Sequence, residues 1–413
     1  MRGNGAANSR GDRGLHANVD ASAMRRMNRA TVLKLIRDLR TTSRIDISQM
    51  TGLNKATVSN IVDELIAEQL VLEVGYGSSS GGRKPILLRF NANAAYAIGV
   101  DVQLSHMTTV VCNIRGEPVY RQVRTLGLAE APDVRAVLLE AIEEELRKAI
   151  AAAPPSPYGL LGACLAFPGM VDFRRGAVYY LPSLFVGEWE ILADLGRSVD
   201  IPLFLDNDAN CGAWNEYMAQ AMKLKNLVFV NMGLGIGAGI VIEGKLYRGR
   251  DGIAGEAGHM TINPMGSACM CGGYGCWEEY ASERGLMRYL REAGADLSAL
   301  SLRDSLLEQA LEQAQNDNRA CIRAFHSLGQ YLGLGIANLL NLLNPDEVIL
   351  GGSVARAATF VLPEVERVIK HRALLQNKQI PVRVGSQHAV AIGASLLAVH
   401  ETLFASAMEP MPT

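Results

Sequence analysis

His259, Cys269, Cys271 and Cys276 place one imidazole and three thiols in a single short stretch of the chain. Three thiolates and one imidazole complete a tetrahedral Zn²⁺ shell, with no position left for water. A metal held this way shapes the protein and does not activate a nucleophile. Glycines interleave the ligands, and the turns at Gly272 and Gly275 need a backbone free to bend around an ion. Two carboxylates, Glu256 and Glu278, flank the ligands. Three of the seven cysteines fall in this string; Cys112, Cys164, Cys211 and Cys321 sit among apolar neighbours and read as reduced core residues.

A second group of chemically competent residues is Asp206-Asn207-Asp208-Ala209-Asn210. An Ala-rich helical segment follows, so Asp208 suits both a helix N-cap and a general base. Two Gly-rich turns, Gly233 to Gly239 and Gly351-Gly352, suit either a phosphate cradle or tight strand connections.

The elements that must position these groups begin near Ala94. Strands fit Tyr96 to Val102, Met107 to Ile114 and Val119 to Thr125, then a helix from Ala131 to Ala153, then a buried strand from Leu160 to Phe167. Leu227 to Met232, Gly239 to Ile242 and Lys245 to Arg248 repeat the three-strand pattern, and Glu347 to Leu350 reads as a later strand. Two βββ-α blocks predict a duplicated α/β fold with a cleft between two lobes. The helical stretch with Leu328, Leu332, Ile336, Leu339 and Leu340 serves either the core or a dimer contact.

The N-terminal part differs in charge. Residues 1–90 carry 14 Lys/Arg against 8 Asp/Glu, while the whole chain of 413 residues has a net charge of −2. A basic head on an acidic body suits a polyanion. Residues 24–39 read as a helix with Leu33, Ile36 and Leu39 on its apolar side. A short helix follows, with Asp46 as N-cap and an end at Thr51; Gly52 allows the tight turn. Asn54 caps a second helix that turns Val58, Ile61, Val62 and Leu65 inward and presents Lys55, Thr57, Ser59 and Asn60. Small polar and basic side chains at a helix N-terminus can reach base edges in a major groove. Two β-prone runs, Leu70 to Val74 and Ile86 to Phe90, enclose a Gly/Ser-rich basic tip with Arg83 and Lys84, the sequence form of a wing. The polar stretch before residue 23 reads as a disordered tail with no secretory signal, and no apolar run suggests a membrane span. These features predict a cytoplasmic protein.

Glu256-x-x-His259, the string Cys-x-Cys-Gly-x-x-Gly-Cys-x-Glu from Cys269 to Glu278, and the Asp206–Asn210 motif together resemble the ROK family of repressors, open reading frames and sugar kinases. The resemblance covers roughly residues 95–400, and the winged head makes the chain similar to its xylose-repressor and N-acetylglucosamine-repressor branch. It implies a two-lobed actin-like (ribonuclease H-like) sugar-kinase fold, with Asp208 in the place of the catalytic base. It also implies that Asn207, Asp208, Glu256, His259 and Glu278 bind a sugar. His259 can serve twice, one ring nitrogen on zinc and the other toward a sugar oxygen.

Two departures from the family pattern shape the functional expectation. Family kinases open with Asp-x-Gly-Gly-Thr-Lys around the ATP phosphates; here the place reads Asp101-Val102-Gln103-Leu104-Ser105-His106. Gln103 and Leu104 replace both glycines, so the site is expected to bind a sugar without phosphorylating it. Ser183, in Leu181-Pro182-Ser183-Leu184, stands where the family often has a sugar-contacting Asn. The expected organisation is a tail over 1–22, a winged helix-turn-helix over 23–91 and a sugar-binding body over 92–405. Lobe 1 would span about 92–205 plus a C-terminal helix at 386–405, and lobe 2 about 206–385. The expected function is a homo-oligomeric, sugar-responsive regulator on double-stranded operator DNA, with structural zinc and no enzymatic activity. The alternatives are an active sugar kinase carrying a DNA-binding head, and a regulator controlled by a protein partner.

Overall fold

The computed structural model describes residues 21–77, 84–128, 131–181, 186–220, 223–295 and 306–404. Residues 1–20 of the expected tail, Arg83 and Ser183 lie outside the described residues, while Ala21 and Ser22, also expected in the tail, already belong to the first helix.

The head opens with α1 (Ala21–Asp38), which buries Val32, Leu33 and Ile36. The helix starts earlier than the sequence predicts and ends before Leu39, which is exposed. Strand β1 (Thr42–Ser43) leads into α2 (Arg44–Thr51). Ser43, not Asp46, is the N-cap. Ser43 has extended backbone and its hydroxyl accepts from the Asp46 amide, while the Asp46 carboxylate accepts from the Ser43 amide. The expected cap is therefore the third residue of a capping box. Gly52 ends α2 at φ 70°, where a β-carbon would be strained. Asn54 accepts from the Thr57 amide at 2.7 Å and starts α3 (Lys55–Ala67), whose Val58, Ile61, Val62 and Leu65 are buried. The hairpin β2 (Val71–Tyr76) and β3 (Ile86–Phe90) completes a sheet of order β1-β3-β2, closed by Gly77 donating to Pro85 at 2.8 Å.

The body repeats one topology. Strands β4 (Tyr96–Val102), β5 (His106–Asn113) and β6 (Pro118–Thr125) form an antiparallel meander. Helix α4 (Val134–Ala152), capped by Asp133, leads to β7 (Leu160–Phe167), parallel to β4. A small hairpin, β8 (Met170–Asp172) and β9 (Ala177–Tyr180), and α5 (Ile191–Leu195) precede β10 (Leu203–Asn207). Helix α6 (Asp208–Ala219) then leads to a second meander, β11 (Leu227–Met232), β12 (Ile236–Ile242) and β13 (Lys245–Leu246). After α7 (Glu278–Ala281), α8 (Glu283–Glu292), α9 (Leu306–Gln315) and α10 (Arg319–Leu343) come β14 (Glu347–Gly351), α11 (Ala358–Arg372), β15 (Val382–Val384) and α12 (Ala389–Leu403). The two sheets run β6-β5-β4-β7-β10 and β13-β12-β11-β14-β15, the same order of meander and parallel additions. The duplication expected from the sequence is present. Leu328, Leu332, Ile336, Leu339 and Leu340 of α10 all sit in the core of the second repeat.

Helices α6 and α12 cross where the repeats meet. A β-carbon at Gly393 of α12 would overlap the Cys211 carbonyl of α6, and one at Gly99 of β4 would overlap the Ala391 carbonyl. The backbones touch at these two points, so α12 is wedged between α6 and the first sheet. One apolar core runs from Val32, Leu33 and Ile36 of the head through Ala94 and Ala95 to Trp214, Tyr217, Leu396, Val399 and Phe404. The head and body therefore share buried surface. Among the described residues no helix is long and apolar enough to cross a membrane.

Candidate functional site

The loop that carries the cysteines is tied by its own backbone. The Gly275 amide donates to Ser267 O at 2.8 Å, Ile262 N to Gly275 O at 2.9 Å, and Cys269 N to Gly273 O at 2.9 Å. Gly275 has φ 69°, and a β-carbon there would overlap the Asn263 carbonyl. Trp277 anchors the loop to the core. It is fully buried, donates from Nε1 to Tyr331 O at 2.9 Å, and rests against Gly335 of α10.

This scaffold brings the four expected metal ligands together. One ligand atom from each of His259, Cys269, Cys271 and Cys276 lies within 4.8 Å of all the others. Cys271 Sγ is 3.6 Å from Cys276 Sγ, and Cys269 Sγ is 3.7 Å from His259 Nδ1. Metal–sulfur bonds of about 2.3 Å set tetrahedral sulfurs about 3.8 Å apart, so these spacings fit one shared ion. Burial raises the Cys269 and Cys276 thiols, while the Gly273 amide lowers Cys271. A divalent cation offsets the cost of ionising the buried pair. The cluster can hold a metal through Nδ1 and the three sulfurs, which leaves His259 Nε2 directed elsewhere, 3.8 Å from Glu256 Oε2.

Glu278 lies against the same centre. Its Oε1 is 3.3 Å from Cys269 Sγ and 3.8 Å from His259 Nδ1, and Arg284 Nη1 stands 3.9 Å away. Its Oε2 would be 3.0 Å from a β-carbon at Gly235, so the glycine leaves room for this carboxylate. Burial raises the Glu256 carboxyl; His259 opposes the shift, while Asp208 and Glu278 add to it. These residues form one electrostatic neighbourhood.

Asn207 is the N-cap of α6, its Oδ1 accepting from Ala209 N at 2.8 Å and Asn210 N at 3.3 Å. Its Nδ2 donates to Gly169 O at 3.0 Å, so one amide hydrogen is left for a ligand. Asp208 is thus the first helical residue and not the cap. It is 6% exposed, accepting from Ala209 N at 2.7 Å and from Asn231 Nδ2 at 2.8 Å. Gln103 stands near enough to lower the Asp208 carboxyl against the effect of burial. Its side-chain amide donates to Asp101 Oδ1 at 2.6 Å. Burial pushes Asp208 up to about 6 and Asp101 up to about 7, the charge of Asp208 adding to the second shift.

Two features escaped the sequence reading, and a third resolves an alternative it left open. Asn231 holds Asp208, and no motif marks it. Asp206 forms a buried pair with Arg248, at 2.9 Å from Nε and 2.7 Å from Nη2, under which Phe173 stacks at 4.6 Å. Its position in the aspartate motif was a signal, but its partner lies in a loop of ordinary composition. Gly351 and Gly352 serve packing: β-carbons there would overlap the Phe229 ring and Met232 backbone.

On the head, Lys55 and Asn60 are exposed at the start of α3, with Thr57 and Ser59 half-buried. Thr57 and Asn60 line a groove shared with Met24, Arg25 and Asn28 of α1. Lys84 is exposed at the base of the wing.

The chain matches the ROK family over residues 97–401. It is 33% identical over 390 residues to the xylose repressor of Caldicellulosiruptor bescii, covering 92% of this chain and 97% of that protein. A ROK family transcriptional regulator, a homolog of the E. coli MLC protein, superposes with a TM-score of 0.77 at 25% identity, covering 93% and 98%. A ROK glucokinase from Streptomyces griseus, solved with glucose and AMPPNP, superposes with a TM-score of 0.62 at 26% identity. That match covers 98% of the kinase but 73% of this chain, and the N-terminal extension is absent from the kinases. With a two-lobed α/β body, a metal-competent His–Cys₃ loop and full-length likeness to repressors, the chain belongs to the ROK family and is a transcriptional regulator of the xylose-repressor-like kind.

Proposed function

We propose that the protein is a cytoplasmic, homo-oligomeric repressor that senses an uncharged sugar between its lobes and does not phosphorylate it. In this reading residues 23–91 form the winged DNA-binding domain. The body spans 92–405, its first lobe about 92–205 with the terminal helix and its second about 206–385. Asp208, Glu256 and Glu278 accept from sugar hydroxyls, and Asn207 and His259 Nε2 complete the set. Zn²⁺ on His259, Cys269, Cys271 and Cys276 would fix the loop, so the imidazole and Glu278 stay where a hydroxyl would meet them. Lys55, Thr57, Ser59 and Asn60 face the major groove, and Arg83 and Lys84 meet backbone or minor groove.

The observation that carries this reading is Gln103. Its side-chain amide donates to Asp101 Oδ1 at 2.6 Å, at the turn where family kinases bring bare glycine backbone to phosphate. The buried Asp208 and the half-buried Asp101 also disfavour an incoming polyphosphate. The relatives named as xylose repressors make D-xylose the first probe. Calorimetry with D-xylose, D-glucose and N-acetylglucosamine tests the cleft, and a DNA-retention assay with the same sugars tests the response. Silence of both assays with all three sugars counts against the reading.

A second reading keeps sugar kinase activity. Its support is Asp208, whose carboxyl near 6 suits a general base at neutral pH. A coupled ATP assay decides it: turnover that disappears in Asp208→Ala establishes the kinase.

A further inference from the structure

We infer that Arg248 is a positioning residue of the effector site. Paired with Asp206 beside Asn207, and carried on the loop that runs into Glu256, it holds these two sugar contacts in register and ties them to the last turn of α12 under the head. The inference rests on the sugar-sensing reading of the cleft and adds to it a route from the cleft to the head.

The loop is fixed at its far end. It runs from the end of β13 to Glu256 and is closed by Ala254 N donating to Arg248 O at 3.1 Å. Gly255 O accepts from Ala238 N at 2.8 Å, and a β-carbon at Gly255, whose φ is 96°, would overlap the Ala238 carbonyl. The segment before Glu256 is thus pressed onto β12 of the second sheet, so a shift at Arg248 is felt at Glu256.

Arg248 reaches from this loop to the first sheet. Asp206 of β10 accepts through Oδ2 from Arg248 Nε at 2.9 Å and Nη2 at 2.7 Å. Through Oδ1 it accepts from Asn207 N and Asn210 Nδ2, both at 2.8 Å. Four donors fill the positions that a carboxylate offers, so Asp206 has none for a sugar and acts on its neighbours instead. Phe173, in the turn between β8 and β9, covers the guanidinium at 4.6 Å. A β-carbon at Gly252 of the same loop would lie 3.3 Å from that ring. An apolar contact would hold the loop as firmly; the ion pair, with its directed bonds, sets one register.

The pair also borders α12. Arg248, Asp206 and Phe173 share the walls of a cavity of about 60 Å³ with Leu397 and Glu401. Glu401 brings the opposite charge to the space that Arg248 lines. His400, its neighbour in the chain, stacks on Phe404, and Phe404 carries Arg37 of the head. A sugar held by both Asn207 and Glu256 therefore acts through Arg248 on the end of α12, which is the differential contact a sensor requires.

The test uses the full chain carrying Asp206→Asn with Arg248→Met and, separately, Arg248→Lys. The double variant leaves no buried carboxylate without a partner, and the amide at 206 still offers an oxygen to Asn207 and Asn210. Calorimetry with D-xylose, D-glucose and N-acetylglucosamine should show about tenfold weaker binding of whichever sugar the wild type takes. The ratio of DNA affinities without and with that sugar should fall several-fold toward one. Arg248→Lys keeps the charge but loses the second donor and the flat face on Phe173, and should show both losses at about threefold. Should the double variant fail to fold, Arg248→Lys decides alone. Wild-type affinity and ratio mean that the pair only braces the fold, and overturn the inference; weaker binding with an unchanged ratio overturns the route to the head. If wild type binds none of the three sugars, the sensing reading fails, and hydrogen exchange of ligand-free protein judges the positioning by itself. Amides at 249–258 and 398–404 should then exchange several-fold faster in the variant while those of β4 and β5 stay as in wild type. Faster exchange throughout, or nowhere, refutes it.

Discussion

Arg37 of α1 lays its guanidinium 4.4 Å from the ring centroid of Phe404, just past the end of α12. The contact joins the first helix of the head to the last described helix of the body. Phe404 is 5% exposed and belongs to the core that both parts share. Phe404→Ala should therefore cost about 3 kcal/mol of stability, read as a lower midpoint in denaturant. It should also split one unfolding transition into two, the head melting first. A single, unshifted transition would show that the contact carries no cohesion.

Gly393→Ala tests the crossing of α6 and α12. The added methyl meets the Cys211 carbonyl, and neither backbone can yield without moving a helix. Overpacking of this kind costs about 1–3 kcal/mol. Because α6 starts at Asp208 and α12 ends beside the head, the variant should also weaken the change in DNA affinity that a sugar causes. Comparing DNA affinity with and without sugar measures that coupling.

Cys271→Ser should lower bound metal to well below one equivalent per chain, measured by elemental analysis after dialysis. Cys271 is the exposed ligand, so the substitution adds little packing strain of its own. Loss of thermal stability should follow loss of metal, and added Zn²⁺ should restore it in wild type but not in the variant. A metal-free wild-type protein would refute the metal centre.

Stability should depend on His400 in acid. Burial lowers its pKa to about 4 from an ordinary 6.5, with Arg37, Arg248 and Lys34 adding to the shift. The neutral ring is favoured in the fold. Its contribution is fully present above about 6.5 and is lost as pH falls toward 4, to the extent of about 2–3 kcal/mol. Asp101 runs the other way, because its raised carboxyl is destabilising as pH climbs from about 4 to about 7. The two tendencies partly cancel in wild type. His400→Leu should unmask the second, leaving a protein whose stability falls with rising pH over this window.

Lys55→Ala should weaken binding to a DNA fragment selected by the wild-type protein, with the slope of log affinity against log salt falling by about one. Asn60→Ala should relax base preference and leave the slope unchanged. Equal affinity and slope in both variants would remove α3 from the DNA surface.

What the sequence made legible was mostly local. Periodicity located α3 and its four buried residues, and spacing alone joined His259 to its three cysteines. Misreadings arose where two neighbours compete for one role. Asp46 and Ser43 both suit a cap, and backbone extension at Ser43 decides between them; Asn207 and Asp208 pose the same choice at α6. What stayed hidden was distant in sequence. Nothing around Asn231 announces Asp208 as its partner, and nothing around Arg248 announces Asp206. The crossing at Gly393 and Cys211 is likewise visible only when the chain has folded.

The continuous core beneath the head has a consequence for its modularity. Winged domains are often handled as cassettes, cut at the linker and fused elsewhere. Here a cut near residue 91 strips the covering from α1, which buries its apolar side in a cluster completed by residues near the C-terminus. Helix α1 and the end of α12 thus meet in one piece of hydrophobic interior. A nascent head must therefore wait for α12 to be synthesised before that interior closes.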